Sequence, residues 1–431
     1  MRPHIYIESL EDHVDSDVVI KGWLYNKRSS GKIAFLELRD GTGRVQGVVV
    51  RGKVDDDVWN AADEIGQESS VIVTGKVKAD ERAPSGVELT VSAIEVVQAV
   101  DGYPITPKEH GTEFLMDRRH LWLRSSHQHA VLRVRSKLQK ICRDYFYERG
   151  YTLVDSPILT PLSVEGTTTL FATDYFGRPA YLTQSGQLYQ EAGAMAFGKV
   201  FCFGPTFRAE KSKTRRHLTE FWMLEPEIAY ATIDDVMEIA EDFIVTVIQQ
   251  ALIECDAELM TLERDRAPLE EIRKPFPRVH YDDSVELLQK AGEDFEWGSD
   301  FGARHETILS EHFGKPVFIN RFPTKIKPFY MQPDAERPEL VLGCDLIAPE
   351  GYGELIGGGQ RIHDPELLER KLAEHGLPTE PYQWYLDLRR YGTVPHAGFG
   401  MGLERLVAWV AGRHHLRETI PFPRMVGRLE P

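Results

Sequence analysis

The chain has 431 residues, which exceeds one hydrophobic core and predicts two or three domains. Its formal net charge of −16 argues against general nucleic-acid affinity, so such a partner would bind at local basic patches. No segment approaches the ~20 apolar residues of a membrane span, and residues 1–6 lack an apolar signal core, which predicts a cytoplasmic protein without membrane contact. The four cysteines form no Cys-x-x-Cys pair, so reduced thiols are expected rather than a zinc site.

Residues 1–100 predict a small β-barrel. Runs rich in β-branched residues indicate five strands with a hairpin at Asp40–Gly43, and a helical patch precedes the fourth strand. The predicted strands are 18–25, 33–39, 45–50, 71–77 and 87–97, and the helical patch is 55–65. This order is typical of an OB-fold, which binds oligonucleotides on one face.

A basic patch lies inside this predicted barrel. Residues 21–51 contain seven Lys/Arg and two Asp/Glu, a local net charge of +5. Phe35 and Gln46 lie across the hairpin, where a ring and an amide can stack on and read one unpaired base. A single Phe on a barrel strand is more often a core residue, but the basic surroundings favour base contact.

Beyond the barrel, residues 101–126 contain Pro104 and Pro107, which break the strand pattern and predict a linker or hinge. Apolar residues at helical spacing predict a long helix over 127–149, which Gly150 ends. Residues 151–157 then predict a strand closed by proline. Residues 231–311 predict a more polar, helical insertion.

Two further segments carry the chemistry. Residues 207–221 predict two strands joined by a loop, and residues 208–216 hold five cations and one anion. Residues 398–409 place three alternating glycines before an apolar helix that contains Arg405. Glycines at alternate positions let a backbone lie against a ligand, because no Cβ holds it away.

In this order, the two segments resemble motifs 2 and 3 of class II aminoacyl-tRNA synthetases, in particular the aspartate/asparagine branch. The helix, glycine and strand at 127–157 resemble motif 1 of the same family, and the resemblance covers essentially the entire chain. It implies an α+β protein with an OB-fold anticodon-binding domain over 1–100. A catalytic domain over 127–431, an antiparallel sheet flanked by helices, would follow and would form a homodimer through motif 1.

The resemblance implies ATP and Mg²⁺ as cofactors and an aminoacyl-adenylate intermediate. Arg208 would bridge the α-phosphate and the amino-acid carboxylate as a planar fork. Phe221 and Arg405 would lie on opposite faces of adenine. The catalytic residues are expected to be Arg208, Glu354 and Arg405. The ATP-binding residues would be Arg208, Glu210, Arg216, His217, Phe221, Glu354, Gly402 and Arg405. Asp345 and Glu354 would bind the metal, Glu354 being the stronger candidate.

The same resemblance implies asparagine and its tRNA as substrates. Gln190 is neutral where aspartyl enzymes have a lysine that pairs with the substrate carboxylate. Arg361 and Glu225 supply a donor and an acceptor that fit a carboxamide, and Glu225 would repel aspartate. The amino-acid-binding residues would be Glu165, Ser185, Gln187, Gln190, Arg208, Glu225 and Arg361. Arg28, Phe35 and Gln46 would contact the anticodon.

Three alternatives share parts of this pattern. A non-discriminating aspartyl-tRNA synthetase has the same architecture, but position 190 lacks its lysine. An ATP-dependent asparagine synthetase-like paralogue would not need the basic barrel. A binding protein without activity would be expected to have lost Arg208, Glu354 or Arg405, and all three are present.

Overall fold

The computed structural model describes residues 4–83, 85–165, 169–212 and 214–431. The chain divides into two compact units, Met1–Gly111 and Thr112–Pro431. Within the described residues, no helix is both long and apolar enough to cross a membrane.

The first unit is a closed barrel with the strand order β1-β2-β3-β5-β4. Its elements are the 3₁₀ helix Ile7–His13, β1 Asp17–Ser30, β2 Ile33–Arg39, β3 Arg44–Val50, α1 Asp56–Glu64, β4 Ser70–Ala79 and β5 Val87–Gln98. The Asp40 side chain closes the predicted hairpin by accepting from the Thr42 and Gly43 amides at 2.8 and 3.2 Å. The OB-fold prediction is confirmed.

The second unit holds an eight-stranded sheet in the described residues, in the order β12-β13-β14-β15-β16-β11-β10-β6, and a small sheet β7-β9-β8. Its strands are β6 Thr152–Leu153, β7 Leu159–Thr160, β8 Ala172–Tyr175, β9 Arg178–Leu182, β10 Lys199–Phe207, β11 Glu220–Ala229, β12 Arg278–His280, β13 Val317–Asn320, β14 Gly343–Ala348, β15 Gly353–Gln360 and β16 His396–Gly402. The large sheet is antiparallel except for the parallel pairs β10·β6 and β12·β13. The predicted α+β class is confirmed.

Helices cover this sheet. They are α2 Thr112–Met116, α3 Arg119–Trp122, α4 Ser126–Glu148, α5 Gln187–Phe197, α6 Ile233–Glu254, α7 Asp256–Thr261, α8 Ala267–Glu270, α9 Tyr281–Lys290, α10 Ala303–Phe313, α11 Pro365–Glu374, α12 Gln383–Arg390 and α13 Leu403–Ala411, with 3₁₀ turns at Thr324–Ile326, Glu380–Tyr382 and Leu416–Glu418. One large apolar cluster joins α4, α6 and α13 to the sheet.

Two segments differ from the sequence expectation. The predicted linker 101–126 includes α2 and α3, which belong to the second unit, and Arg119 of α3 is fully buried there. Its guanidinium donates to the carbonyls of Ile420 and Pro421 at 2.8 Å each. The region 231–311 is helical, as expected, but α6 is not polar: it buries ten apolar residues in the central core.

The predicted basic loop leaves the sheet at the end of a strand pair. β10 and β11 are antiparallel, and Phe207 pairs with Glu220, so residues 208–219 form the connection. β16 lies next to β11 and β15, which brings residues 398–402 beside this hairpin. The two segments that carry the family resemblance are therefore neighbours in the sheet.

Candidate active site

Two adjoining cavities open on this part of the sheet. The loop cavity, of about 380 Å³, lies under the connection between β10 and β11. The inner cavity, of about 280 Å³, lies between α5 and the centre of the sheet. Arg208, Met223, Glu354 and Gly400 line both, so the two cavities meet at these residues.

The predicted site residues divide between the cavities according to their expected roles. All the residues expected to bind ATP line the loop cavity: Arg208, Glu210, Arg216, His217, Phe221, Glu354, Gly402 and Arg405. All those expected to bind the amino acid or metal line the inner cavity: Glu165, Ser185, Gln187, Gln190, Arg208, Glu225, Asp345, Glu354 and Arg361.

Arg208 lies at the junction. Its backbone amide donates to the Thr219 carbonyl at 3.0 Å, which fixes the base of the loop. Its guanidinium carbon is 5.5 Å from the Phe221 ring centroid, and one terminal nitrogen is 3.9 Å from Glu165 Oε1. Burial acts to lower the pKa of Arg208, but Glu165 and other carboxylates outweigh it and raise the pKa. Arg208 therefore stays charged where the cavities meet.

The loop is held from α10. Arg216 donates to Glu306 Oε2 at 2.9 Å and also to the Gly351 carbonyl. His217 Nδ1 hydrogen-bonds to Thr214 and lies 3.1 Å from Ser212 Oγ. Burial lowers the pKa of His217, so the imidazole is neutral near pH 7.

The glycines of β16 serve two purposes. A Cβ at Gly398 would collide with the Glu227 side chain and the Pro226 carbonyl, so this glycine is required for close packing. A Cβ at Gly402 would meet no atom within 4 Å, so Gly402 alone of the three faces open space. Next to it, Arg405 lines the loop cavity together with Glu306, and its charge acts to lower the pKa of that carboxyl. A ligand in this cavity would therefore meet the Arg405 guanidinium.

Two carboxylates converge above Gly357. A Cβ there would lie 2.8 Å from Glu354 Oε1 and 3.5 Å from Asp345 Oδ1. Lys327 Nζ lies 2.6 Å from Asp345 Oδ2. Burial raises the pKa of Asp345 to about 7; Lys327 opposes this shift and Glu354 adds to it. Two neighbouring carboxylates that line the same cavity fit Mg²⁺, which takes one or two protein carboxylates beside phosphate oxygens.

Glu225 and Arg361 already have protein partners in the inner cavity. Glu225 accepts from the Ser185 hydroxyl and, at 2.8 Å, from the Gly186 amide; burial raises its pKa. Arg361 donates to Glu227 through Nε at 3.1 Å and Nη2 at 2.9 Å. Only Nη1 faces elsewhere, 3.8 Å from Met331 Sδ. Arg361 is therefore largely neutralised and keeps one nitrogen for a ligand.

A buried polar network supports this cavity. Glu191 accepts from Gln187 at 3.1 Å, from Tyr385 at 2.8 Å and from Arg389. His396 Nε2 lies 2.9 Å from the same carboxylate. Glu191, Glu227 and His396 lie close enough together to hold a metal ion, but Arg389 and Arg361 already pair with the two carboxylates. This cluster is a structural ion network.

Sequence reasoning missed several residues that line the cavities, namely Glu227, Glu306, Lys327 and Tyr330. Their partners are distant along the chain: Arg216 and Glu306, for example, are 90 residues apart. Only the run Lys325-Ile-Lys327, a pair of cations inside an apolar segment, gave a sequence signal.

The expected anticodon residues meet on the outer face of the barrel. Arg28 lies over Phe35, 4.7 Å from the ring centroid, and donates to Gln46 Oε1 at 3.1 Å. Phe35 is half-buried, whereas its neighbours Ala34 and Leu36 point into the core. Phe35 is thus not a core residue. Two more arginine–aromatic pairs, Arg39–Trp23 and Arg44–Tyr25, extend this surface.

The chain belongs to the family described as tRNA synthetases class II (D, K and N), which matches residues 111–426. An OB-fold nucleic acid binding domain matches residues 18–97.

Within this family, the chain is more similar to asparagine enzymes than to an aspartyl enzyme. The chain is 56% identical over 427 residues to an asparagine--tRNA ligase of Pelotomaculum thermopropionicum, covering 99% of each chain. It is similar to the crystal structure of asparaginyl-tRNA synthetase from Pyrococcus horikoshii complexed with asparaginyl-adenylate, with a TM-score of 0.96, 44% identity and 99% of each chain covered. A putative aspartyl-tRNA synthetase from Leishmania major Friedlin is more distant, at 26% identity and a TM-score of 0.86, with 100% of this chain and 94% of that one covered.

Proposed function

We propose that this chain ligates asparagine to its tRNA through an asparaginyl-adenylate and releases AMP and pyrophosphate. The arrangement of the two cavities carries the proposal, because the residues expected for ATP line one, those expected for the amino acid line the other, and Arg208 lines both. The resemblance to an enzyme that was crystallised with asparaginyl-adenylate supports it.

The chemistry requires two anions to approach each other. An oxygen of the asparagine carboxylate attacks the α-phosphorus of ATP, the bond to the bridging oxygen breaks, and pyrophosphate leaves with that electron pair. Arg208 contacts both anions and offsets the charge that grows between them. Arg405, Arg216 and His217 hold the outer phosphates, and Phe221 stacks on adenine. The terminal hydroxyl of tRNA then attacks the activated carbonyl, and AMP leaves.

Asp345 and Glu354 would hold Mg²⁺. The ion would supply positive charge to the phosphate oxygens of ATP. Lys327 is a second, permanent cation at Asp345, so this carboxylate would face positive charge on both sides. Glu354 lines both cavities and is the residue through which the metal site would reach the nucleotide.

Selectivity for asparagine would follow from the charges of the inner cavity. Glu225 and Glu227 are both buried there, and Arg361 is already paired with Glu227. Aspartate would bring a further carboxylate with no unpaired cation to receive it, at a cost of several kcal/mol. Gln187 and Glu165 would receive the substrate ammonium group.

The remaining substrate and the assembly complete the proposal. The anticodon of asparagine tRNA would dock on the surface formed by Arg28, Phe35 and Gln46, in the cytoplasm.

Two copies of the chain would pair through α4 and the segment that follows it. Tyr147, Ile158 and Leu159 expose between 43% and 51% of their surface in this region, which suits a covered apolar interface. Ile158→Glu should then halve the mass measured by sedimentation, whereas Ile253→Glu, at an exposed site on α6, should leave it unchanged.

Pyrophosphate exchange measured separately with asparagine and with aspartate tests the function. We expect asparagine to be preferred by at least ~10²-fold, since a site that pairs a polar group rejects analogues strongly. Comparable rates with both amino acids would favour a non-discriminating aspartyl enzyme. Exchange without transfer to tRNA would favour a synthetase-like paralogue.

A further inference from the structure

Helix α10 brings a carboxylate to the loop cavity. Glu306 lies in the first turn of α10 and lines this cavity together with Gly302, the residue that begins the helix. The start of the helix is held in place, because the Gly302 amide donates to His305 Nδ1 at 3.0 Å. This helix belongs to the region 231–311, for which the sequence predicted no site residue. Glu306 is thus a charged group on a regular element, and such elements hold side chains more precisely than loops do.

Glu306 contacts Arg216 of the loop between β10 and β11. Arg216 Nη1 donates to Glu306 Oε2 at 2.9 Å, and Nη2 donates to the Gly351 carbonyl. The ion pair is mostly buried, since the two side chains expose only 13% and 16% of their surface. The turn between β14 and β15 is shaped to this pair: a Cβ at Gly353 would collide with both Glu306 and Arg216. The guanidinium therefore has a defined position.

Arg216 keeps donors for a ligand in this position. A guanidinium has five N–H groups, and the two contacts above use two of them. Arg216 lines the loop cavity with Arg405, and both are expected to bind the outer phosphates of ATP. The loop residues next to it, Arg215 and His217, are exposed, so the loop alone gives Arg216 little support. Glu306 supplies that support from a different part of the chain.

We propose that Glu306 is a positioning residue for ATP: it fixes the Arg216 guanidinium before ATP binds, so that the remaining N–H groups meet the outer phosphates. The inference rests on the proposed function, because that function makes Arg216 a phosphate ligand. A side chain that is already ordered loses less conformational freedom when its ligand binds. A buried ion pair contributes little net stability, because desolvation offsets the attraction, so positioning explains this pair better than stability does.

Charge alone predicts the opposite effect. The Glu306 carboxylate lines the cavity in which the polyphosphate would lie, and like charges repel. If this repulsion were the main effect of Glu306, its removal would tighten ATP binding. If Glu306 acts by positioning Arg216, its removal weakens ATP binding. The direction of the change therefore separates the two roles.

Glu306→Ala and Glu306→Gln test the proposal by calorimetric titration with ATP and Mg²⁺ in the absence of asparagine, so that no turnover occurs. We expect Kd for ATP to rise ~10-fold in Glu306→Ala and at least ~3-fold in Glu306→Gln, which keeps the volume and one acceptor oxygen. Kd for AMP should change by less than about twofold, because AMP lacks the outer phosphates that Arg216 would bind. Glu311→Ala is the matched control, since it removes the same charge from an exposed site on α10 and should keep Kd for ATP within about twofold of wild type.

A double-mutant cycle shows whether Glu306 acts through Arg216. In the Arg216→Ala background, Glu306→Ala should not weaken ATP binding further, because the side chain that Glu306 positions is already gone. Losses that simply add in the double variant would mean that Glu306 affects the cavity independently of Arg216, and the proposal would be wrong.

Unchanged or tighter ATP binding in a folded Glu306→Gln enzyme would also contradict it, as would equal losses for ATP and AMP. If the wild-type enzyme bound ATP but gave no asparagine-dependent pyrophosphate exchange, the proposed function itself would be wrong. The titrations with ATP and AMP would still decide the role of Glu306, since they do not involve asparagine.

Discussion

Arg208 is the side chain expected to contact both substrates of adenylate formation. Its guanidinium is half-buried, stays charged and lines both cavities, so it can contact the nucleotide and the amino acid together. Removing one charge-assisted contact to a developing anion commonly costs ~10²–10³ in rate. Arg208→Ala should therefore reduce asparagine-dependent pyrophosphate exchange by at least this factor, with the circular dichroism spectrum unchanged.

Two comparison variants make this test specific. Arg208→Lys keeps the charge but loses the planar fork, so it should recover only part of the activity. Arg390→Ala, which removes an exposed arginine from α12 of the same unit, should leave exchange within about twofold of wild type. Near-normal exchange in Arg208→Ala would contradict the assignment of the β10–β11 hairpin to catalysis.

The sequence predicted those site residues that lie close to one another along the chain. Arg208, His217 and Phe221 lie on one hairpin, so their spacing along the sequence was enough to predict that they act together. The pairing of Arg361 with Glu227 could not be predicted, because the two residues are 134 positions apart, Glu227 on β11 and Arg361 just after β15. Sequence spacing locates groups within an element, whereas the partner that neutralises a group is set by the sheet order.

Among the elements, α6 shows why the helical region was easier to predict than its burial. Residues 231–311 were predicted together as a polar, helical insertion, and the polar residues after α6 hid its apolar character. In the structure α6 packs between α4 and the sheet, where Phe243, Ile244 and Val247 are fully buried. A helix buried on more than one side lacks the single apolar stripe that marks a surface helix.

The N-terminus of α6 offers a test of element stability. Thr232 and Asp235 form a capping box: the Asp235 carboxylate accepts from the Thr232 amide at 2.8 Å, and Thr232 Oγ1 accepts from the Asp235 amide at 3.4 Å. Thr232→Ala should lower the free energy of unfolding of the catalytic unit by about 1 kcal/mol. The Asp235 amide loses its acceptor, and the Asp235 carboxylate loses the hydrogen bond from the Thr232 hydroxyl. Urea denaturation measures this, and Thr232→Ser should stay near wild type. Equal midpoints for the alanine and serine variants would show that the cap contributes nothing.

The 3₁₀ turn Leu416–Glu418 gives a pH-dependent prediction. His415 caps it by accepting from the Arg417 amide through Nδ1 at 3.2 Å. Burial, with Arg417 and Arg215, lowers the pKa of His415 from 6.5 to about 4. The unfolded chain therefore binds a proton first as pH falls, so stability is lost between pH 6.5 and 4.

His415→Asn isolates this effect, because asparagine keeps a cap acceptor but does not titrate. The wild-type melting temperature should fall more than that of His415→Asn when pH is lowered from 7.5 to 5. Parallel melting curves over this range would mean that His415 titrates alike in the folded and unfolded states.

At the scale of the whole molecule, an overall acidic chain carries its basic groups where polyanions are expected. The barrel surface stacks Arg28, Arg39 and Arg44 on aromatic rings, and Glu68 and Glu37 pair with the last two of these arginines. The loop cavity collects Arg208, Arg216 and Arg405. These groups occur in separate compact units. Acidity elsewhere disfavours tRNA in unproductive poses, so local charge guides binding although the net charge opposes it.

This division predicts that anticodon recognition and adenylate formation can be uncoupled. Phe35→Ala removes the ring over which Arg28 lies and on which a base would stack, a contact worth ~1–3 kcal/mol. The kcat/KM for tRNA in aminoacylation should fall ~5–150-fold, which is the same energy expressed as a ratio. Asparagine-dependent pyrophosphate exchange should stay within about twofold of wild type, because Phe35 and the cavities lie in different units.

Val97→Ala serves as the control for this prediction, since Val97 is an exposed apolar residue of β5 in the same barrel and should affect neither reaction. Phe35→Tyr keeps a stacking ring and should restore most of the aminoacylation lost in Phe35→Ala. Because Phe35 lies on the outer face of β2, its truncation leaves the buried side chains of the barrel in place. A parallel loss of exchange and aminoacylation in a folded Phe35→Ala enzyme would mean that the barrel acts on the chemistry itself rather than on tRNA binding.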